Sequence, residues 1–328
     1  MRTQRYIAGK VFQALLTLLF ILTFNFFLFR ILPGDPVAVL TKTQGVELSV
    51  EQQEELAIEL GLREPLPQQF VGYLGDTLRG DLGLSTLVDP GESVTSVFFR
   101  DLPKTLLLVG TSTIASVTIG IVLGIYGGWR RGRAVDMSSM TGSLFLYSMP
   151  EFVLGILLLL LFTKYLHLFP SGGYRSVTGN LTGAAYIADV VNHMFLPWLT
   201  LTLAYVGEYY LVMRSSLLDV LGEEYITLAR AKGLREKFVL RRHAVRNALL
   251  PTVTLVALSF GFVLGGAITV ELVFSYPGVG KLSLDALRKQ DYPVLQGTFL
   301  FFSMAVLIAN LLADIVYGYF DPRVRATR

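Results

Sequence analysis

Six stretches of this chain are apolar for long enough to cross the roughly 30 Å of hydrocarbon in a bilayer, which takes about 20 helical residues each. They run over 11–32, 105–129, 137–163, 195–213, 248–270 and 294–313, and the second, fifth and sixth hold no charged residue. Inside a bilayer the backbone has no water to satisfy its N–H and C=O groups, so stretches of this length span as helices. The pattern predicts an all-α integral membrane protein with six transmembrane helices. Composition agrees, because 52% hydrophobic and 16% charged residues are more apolar than a soluble domain can bury. The first run has too long an apolar core for a removed signal peptide, and no small-residue cleavage site follows it. The chain has no cysteine, which excludes disulfides, thiolate metal sites and cysteine nucleophiles.

Net charge is only +3, and its distribution matters more. Arg2, Arg5 and Lys10 precede the first span, and Arg130, Arg131 and Arg133 follow the second. A third basic group runs from Arg214 to Arg246 after the fourth span, and Arg323, Arg325 and Arg328 follow the sixth. With six spans all four groups fall on one side, the cytoplasmic one by the positive-inside rule. Both ends of the sequence are then cytoplasmic.

The acid-rich segment 33–101 falls on the opposite side as a small helical extracytoplasmic piece. Ser49-Val50-Glu51-Gln52 is a capping box that opens a helix ending at Gly61. Pro65 and Pro67 suit the start of a second helix ending near Gly80. Val94, Val97 and Phe98 predict a third, lying on the membrane surface. The organisation is thus 1–32, N-terminus and first span; 33–101, extracytoplasmic segment; 102–328, a five-helix core.

Two small-residue stripes mark close helix packing. The first is Ser112, Ser116, Gly120, Gly124 and Gly128; the second is Ala257, Gly261, Gly265 and Thr269. Packing within the chain is the favoured reading, and a contact with a second subunit across a translocation path is the other. Carboxylates inside spans are costly and point to function. Glu151 follows Pro150, which kinks the third span, and Glu208 lies well inside the fourth. Arg214 is off the face of Glu208 on the same helix, so the partner of Glu208 must come from elsewhere. These two, with Ser259 in the fifth span, are candidates for lining a path, where Glu208 would contact a cargo amine. The other reading is that Glu151 pairs with a neighbouring helix and Glu208 makes a buried structural hydrogen bond.

Between the fourth and fifth spans lies the polar stretch from Glu224 to Pro251, set where a membrane protein keeps an ordered helix pair only if something docks on it. Glu223 and Glu224 suit a helix N-terminus. A helix over 227–232 stops at Gly233, the residue that most readily takes the left-handed C′ conformation. A second basic helix, Leu234 to Arg246, runs directly into the next span.

The same residues carry a family resemblance. Thr227-Leu228-Ala229, three residues and then Gly233 resemble the EAA loop of ABC importer permeases. With Thr227-Leu228 in place of Glu-Ala, and His243 to Ala248 following, the loop is similar to the form in peptide and nickel permeases. Pro33-Gly34-Asp35-Pro36, LGLREPLPQQF from Leu60, GDLGLS from Gly80, ELVFSYPGVGKL from Glu271, DYPVLQG from Asp291 and DPRVR from Asp321 extend it over nearly the whole chain. In this order they resemble the B-type subunit of dipeptide/oligopeptide permeases.

The resemblance implies a type I ABC importer permease bundle working with a second related permease, two cytoplasmic ATPases and an extracytoplasmic binding protein. It implies that the loop at about 214–248 couples to the ATPases through Glu224, Tyr225, Thr227, Ala229, Arg230, Ala231, Lys232, Gly233, Leu234, His243, Arg246 and Asn247. Ala229 would permit close packing in the ATPase cleft, and Arg230 and Lys232 would pair with its acidic rim. ATP and magnesium would be held by those partners, with no cofactor on this chain.

The sequence contains no G-x-x-x-x-G-K-[ST] loop; Lys281 follows Gly278-Val279-Gly280, but Leu282 stands where Ser or Thr is needed. No H-E-x-x-H occurs, and His167, His193 and His243 fall at or beyond span ends, so no catalytic constellation is evident. The basic run 241–246 between two spans favours lipid head groups and an acidic partner over nucleic acid. The alternative function is a stand-alone secondary carrier or channel using Glu208 and Glu151 as ion sites, which would work without an ATPase.

The charge pattern makes a topological prediction. Single cysteines placed at Glu55 and Asp89 should react with a membrane-impermeant thiol reagent in intact cells. Those at Arg131, Lys237 and Arg325 should react only after permeabilisation, and outside labelling at Lys237 would overturn the six-span arrangement.

Overall fold

In the computed structural model, residues 2–31, 49–59, 63–176 and 181–320 are described; all their regular elements are helices, apart from an isolated bridge between Leu84 and Ser93. In chain order these are α1 (Arg2–Ile31), α2 (Val50–Glu59), α3 (Leu66–Leu78), α4 (Val94–Trp129), α5 (Ala134–Ser148) and α6 (Glu151–Leu159), the last prolonged by a π-helical turn, Leu160–Tyr165. Then come α7 (Gly183–Leu221), α8 (Glu224–Ala231), α9 (Glu236–Phe238), a π-helical turn Val239–Ala244, α10 (Val245–Val273), α11 (Val279–Lys289) and α12 (Tyr292–Phe320).

Four of these are long and apolar enough to cross a membrane: Ala8–Arg30 within α1, α4, α7, and Tyr292–Leu311 within α12. The pair α5 and α6 makes a fifth if its halves count as one span. The stretch expected at 248–270 falls on α10, where the side chains of 254 and 257–266 lie outside the described residues, Ser259 and most of the second small-residue stripe among them. The Pro33–Pro36 and DPRVR motifs and the end of the first helix at Gly61 lie outside them too.

The densest packing joins α4 to α7, and the first small-residue stripe explains it. Ser112, Ser116, Gly120, Gly124 and Gly128 are all buried. A Cβ on Gly120 would stand 2.6 Å from Tyr209 Cβ, and one on Gly124 would stand 2.8 Å from Met213 Cβ and 2.9 Å from the Tyr210 carbonyl oxygen. The stripe is therefore filled within the chain, which settles its role as internal packing. At 36 residues and 1.5 Å rise, α4 is about 54 Å long, more than the hydrocarbon requires.

That surplus corrects the expected surface helix. Val94, Val97 and Phe98 belong to α4 itself, which passes through Pro103 without a break. Val94 and Val97 are buried against Leu282, Ala286 and Val294, so this end of the helix is held by packing with α11 and α12. A second correction concerns the third span. Instead of a kink at Pro150, α5 and α6 meet at 101°. Met149 is extended (φ −89°, ψ 126°), as steric conflict with the following proline ring favours, and Pro150 then starts a new helix. The capping box at the start of α2 is present, with Ser49 N–H on Gln52 Oε1 at 3.0 Å and Gln52 N–H on Ser49 Oγ at 3.3 Å.

The α4–α7 contact predicts a sharp asymmetry between glycines. Gly124→Leu should cost at least about 1–3 kcal/mol through forced separation of the helices, read as lost thermal stability in detergent. Gly110, where an added methyl would meet nothing within 4 Å, should accept alanine without penalty.

Candidate functional site

The basic loop grows directly out of α7. Gly222 ends that helix, Glu223 starts the next, and α8 turns two faces in different directions. Ile226 and Ala229 are buried with Met213, Leu217, Val239, Ala244 and Ala248. Ala229 is thus 5% exposed and packs inside its own chain, which corrects the expectation that it enters a partner's cleft. Glu224, Tyr225, Thr227, Leu228, Arg230, Ala231, Lys232, Gly233 and Leu234 are exposed. The loop is consequently a rigid knob with a tethered inner face and a free outer one.

Gly233 takes φ +75°, the left-handed conformation that ends a helix at low cost only with glycine. Its N–H bonds the Arg230 carbonyl at 2.9 Å. The second helix begins at Glu236, and widens into the π turn before α10. Arg230 pairs with Glu236 at 3.1 Å and lies 5.9 Å from the Trp129 ring, so its charge already has a partner within the knob. Asn247 Nδ2 donates to Tyr225 Oη at 2.8 Å, and His243 packs its ring edge on Phe238 at 5.7 Å. Arg246, like Asn247, is exposed.

Glu151 and Glu208 come together at the broken span. Both line a cavity of about 360 Å³ with Tyr147, Met149, Pro150, Phe152, Ala204, Tyr205 and Thr269. Glu151 occupies the first position of α6, where the helix dipole favours an anion. Tyr205 Oη donates to its Oε1 at 2.7 Å, and Thr269 Oγ1 to its Oε2 at 3.3 Å. Glu208 sits one turn beyond Tyr205 on α7 and has no hydrogen-bond or ion-pair partner among the described residues. No lysine, arginine or histidine lines the cavity. Two carboxylates against aromatic and apolar walls suit a cationic group. Arg214 is taken by Asp136, at 2.6 Å.

Two acidic residues escaped the sequence reading although both lie in quoted motifs. Glu271, fully buried, accepts from Thr105 Oγ1 at 2.7 Å and from the Lys281 N–H at 3.0 Å. A Cβ at Gly278 would stand 2.1 Å from its Oε1, so the glycine-rich turn after α10 is what lets this carboxylate join α10, α4 and α11. Asp291 is also fully buried, and its Oδ2 accepts from Ser85 Oγ at 2.7 Å and the N–H groups of Thr86, Leu87 and Val88 at 3.0, 2.8 and 2.9 Å. This joins the GDLGLS motif to DYPVLQG. Burial alone would raise the Asp291 pKa, but these donors outweigh it and hold the carboxyl below its ordinary value. A signal existed in the sequence, namely a single acid opening each motif ahead of a proline, but nothing there showed its distant donors. Among the described residues no group of three or more His, Cys, Asp or Glu is placed to hold a metal ion.

Comparison with known proteins gives a consistent result. Residues 118–326 match the family described as binding-protein-dependent transport system inner membrane component, and residues 3–107 match the N-terminal family of the same description. A Sinorhizobium fredii protein named a probable peptide ABC transporter permease is 36% identical over 98% of this chain and 99% of its own. An Escherichia coli dipeptide transport system permease is 37% identical, with 93% of each chain covered. An E. coli glutathione transport system permease is 38% identical over 96% of this chain and 97% of the relative. A crystal structure of an amino acid ABC transporter shares the fold at TM-score 0.50 and 13% identity, over 70% of this chain and 94% of that one.

The low-lying carboxyl of Asp291 sets a pH signature. A depressed folded pKa contributes stability that is present above the ordinary carboxylate range and lost as pH falls through the folded value. Asp291→Asn keeps an acceptor but not its charge and should cost about 2 kcal/mol at neutral pH. In thermal unfolding of the detergent-solubilised protein, that deficit should shrink as the pH is lowered through the carboxylate range.

Proposed function

Because this chain belongs to the inner membrane components of binding-protein-dependent transport systems, we propose that it is a permease subunit of an ATP-driven importer for peptides or similar small solutes. The observation that carries the mechanism is the knob: a glycine-ended helix, packed inward by Ile226 and Ala229, with an exposed polar outer face. The names of the relatives support peptides or peptide-like molecules as the cargo class. In the assembled transporter, two cytoplasmic ATPases dock on the outer face of α8 and on the basic turn that follows. A second permease completes the translocation path, and an extracytoplasmic binding protein delivers cargo.

In this reading six spans cross the plasma membrane with both ends of the sequence cytoplasmic. The broken pair α5–α6 is one span and α10 another, and α2 and α3 lie outside. ATP and magnesium bind the ATPases. Glu224, Tyr225, Thr227, Arg230, Lys232, Leu234, His243, Arg246 and Asn247 shape the docking face, Ala229 anchors it from beneath, and Gly233 sets its elbow. The cavity of Glu151 and Glu208 lies on the path and receives the positively charged end of the cargo. A carrier working alone has no need of a docking knob, and none of the relatives quoted is named as a carrier.

The test is uptake by the complete complex in vesicles. Cargo should enter only with ATP and the ATPases present, and an ion gradient should not replace them. Gly233→Val places a β-branched residue at positive φ, and should reduce cargo moved per ATP hydrolysed about tenfold or more. Wild-type uptake by this variant would sink the coupling role.

A further inference from the structure

We propose that the ion pair of buried Asp136 and partly buried Arg214 is the joint through which the knob moves the broken span. This rests on the docking of ATPases at the knob. The pair lies apart from both the knob's exposed face and the cavity, yet it touches the elements that lead to each. Asp136 is 3% exposed, in the first turn of α5. Arg214 Nε donates to its Oδ1 at 2.6 Å and Nη2 to its Oδ2 at 2.8 Å, the two-bond geometry that fixes orientation as well as distance. The Gly132 N–H adds a third donor at 2.9 Å and so includes the turn between α4 and α5. Ser139 Oγ donates to Tyr210 Oη at 3.2 Å, a second tie between α5 and α7.

The packing leaves this cluster no slack. A Cβ on Gly127 would stand 2.9 Å from Tyr210 Oη and 3.3 Å from Asp136 Oδ1, so α4 closes the site from behind. On the other side of Arg214, Met213 and Leu217 are fully buried in the cluster that holds Ile226 and Ala229 of the knob. The end of α7 is therefore one rigid piece with α8. Any shift of the knob is carried to Arg214, across to Asp136, and along α5 to its 101° junction with α6. Glu151 begins α6 at that junction, on the wall of the cavity. A pair of charges out of water is a weak way to gain stability, since well-packed apolar residues often do as well. Its geometric specificity is what a joint requires.

Asp136 and Arg214 are positioning residues, and stability must be separated from coupling in the test. Arg214→Gln alone leaves the buried Asp136 carboxylate without its counter-charge and should impair assembly. The double variant Asp136→Asn/Arg214→Gln removes both charges and should restore assembly with the ATPases and ATP hydrolysis. Cargo transported per ATP should nevertheless stay reduced about tenfold, as for the loss of a coupling contact. A double variant that transports at the wild-type ratio overturns the joint.

The absence of cysteine allows a measurement, within the complex, on a chain that needs no other change. Spin labels at exposed Met137 on α5 and exposed Lys237 on the knob should keep one distance in nucleotide-free and ATP-trapped states. A label on an ATPase should meanwhile report the knob moving with it. A distance between 137 and 237 that changes with nucleotide overturns the joint, even if no variant assembles. A knob label insensitive to the ATPases overturns the docking reading and the joint with it, so the two failures are distinguishable.

Discussion

Backbone-to-backbone contact between α4 and α7 is the constraint on which the other contacts depend. In a bilayer, lipid tails are as apolar as leucine, so helices associate through close packing and polar contacts and not through hydrophobic exclusion. Glycines 120, 124 and 128 supply that closeness along successive turns of α4. With those axes fixed, the ridge of α7 carrying Tyr210, Met213 and Leu217 is fixed too. That ridge packs against the inner face of the knob at one end of α7, while another face of the same helix, nearer its middle, carries Ala204, Tyr205 and Glu208 on the cavity wall.

Polar groups then fix what the helices alone leave free. Three buried acids join segments remote in sequence: Glu271 with Thr105 and the turn after α10, Asp291 with the loop at 85–88, Asp136 with Arg214. All three have close donors. Glu208 is the exception, and its open side faces the cavity. The division is physically sensible, because a satisfied buried carboxylate holds structure together, whereas an unsatisfied one is available to something that arrives.

Much of this was legible in the sequence, where periodicity and local stereochemistry act alone. The capping box at Ser49–Gln52, the left-handed Gly233 and the small-residue stripe on α4 each follow from the chemistry of a few neighbouring residues. What was not legible depended on distant partners. Val94, Val97 and Phe98 look like the apolar face of a surface helix until α11 and α12 pack against them. Ala229 reads as a docking residue until Met213 and Leu217 cover it. Pro150 announces a disturbance, but the size of the bend is set by how α6 finds its place against α7 and α10, which no local rule contains.

The carboxylate of Asp291 has a consequence for the order in which this protein is made. Its donors at 85–88 precede it by 203 to 206 positions. During synthesis that loop emerges early and waits, its N–H groups solvated, until nearly all the rest of the chain has been inserted. The long separation makes closure of this knot a late event, after its entropy cost can be offset by helices already in place. A molecule truncated before Asp291 therefore leaves the N–H groups of Thr86, Leu87 and Val88, beside the start of α4, without their acceptor, an open corner that the longer chain closes.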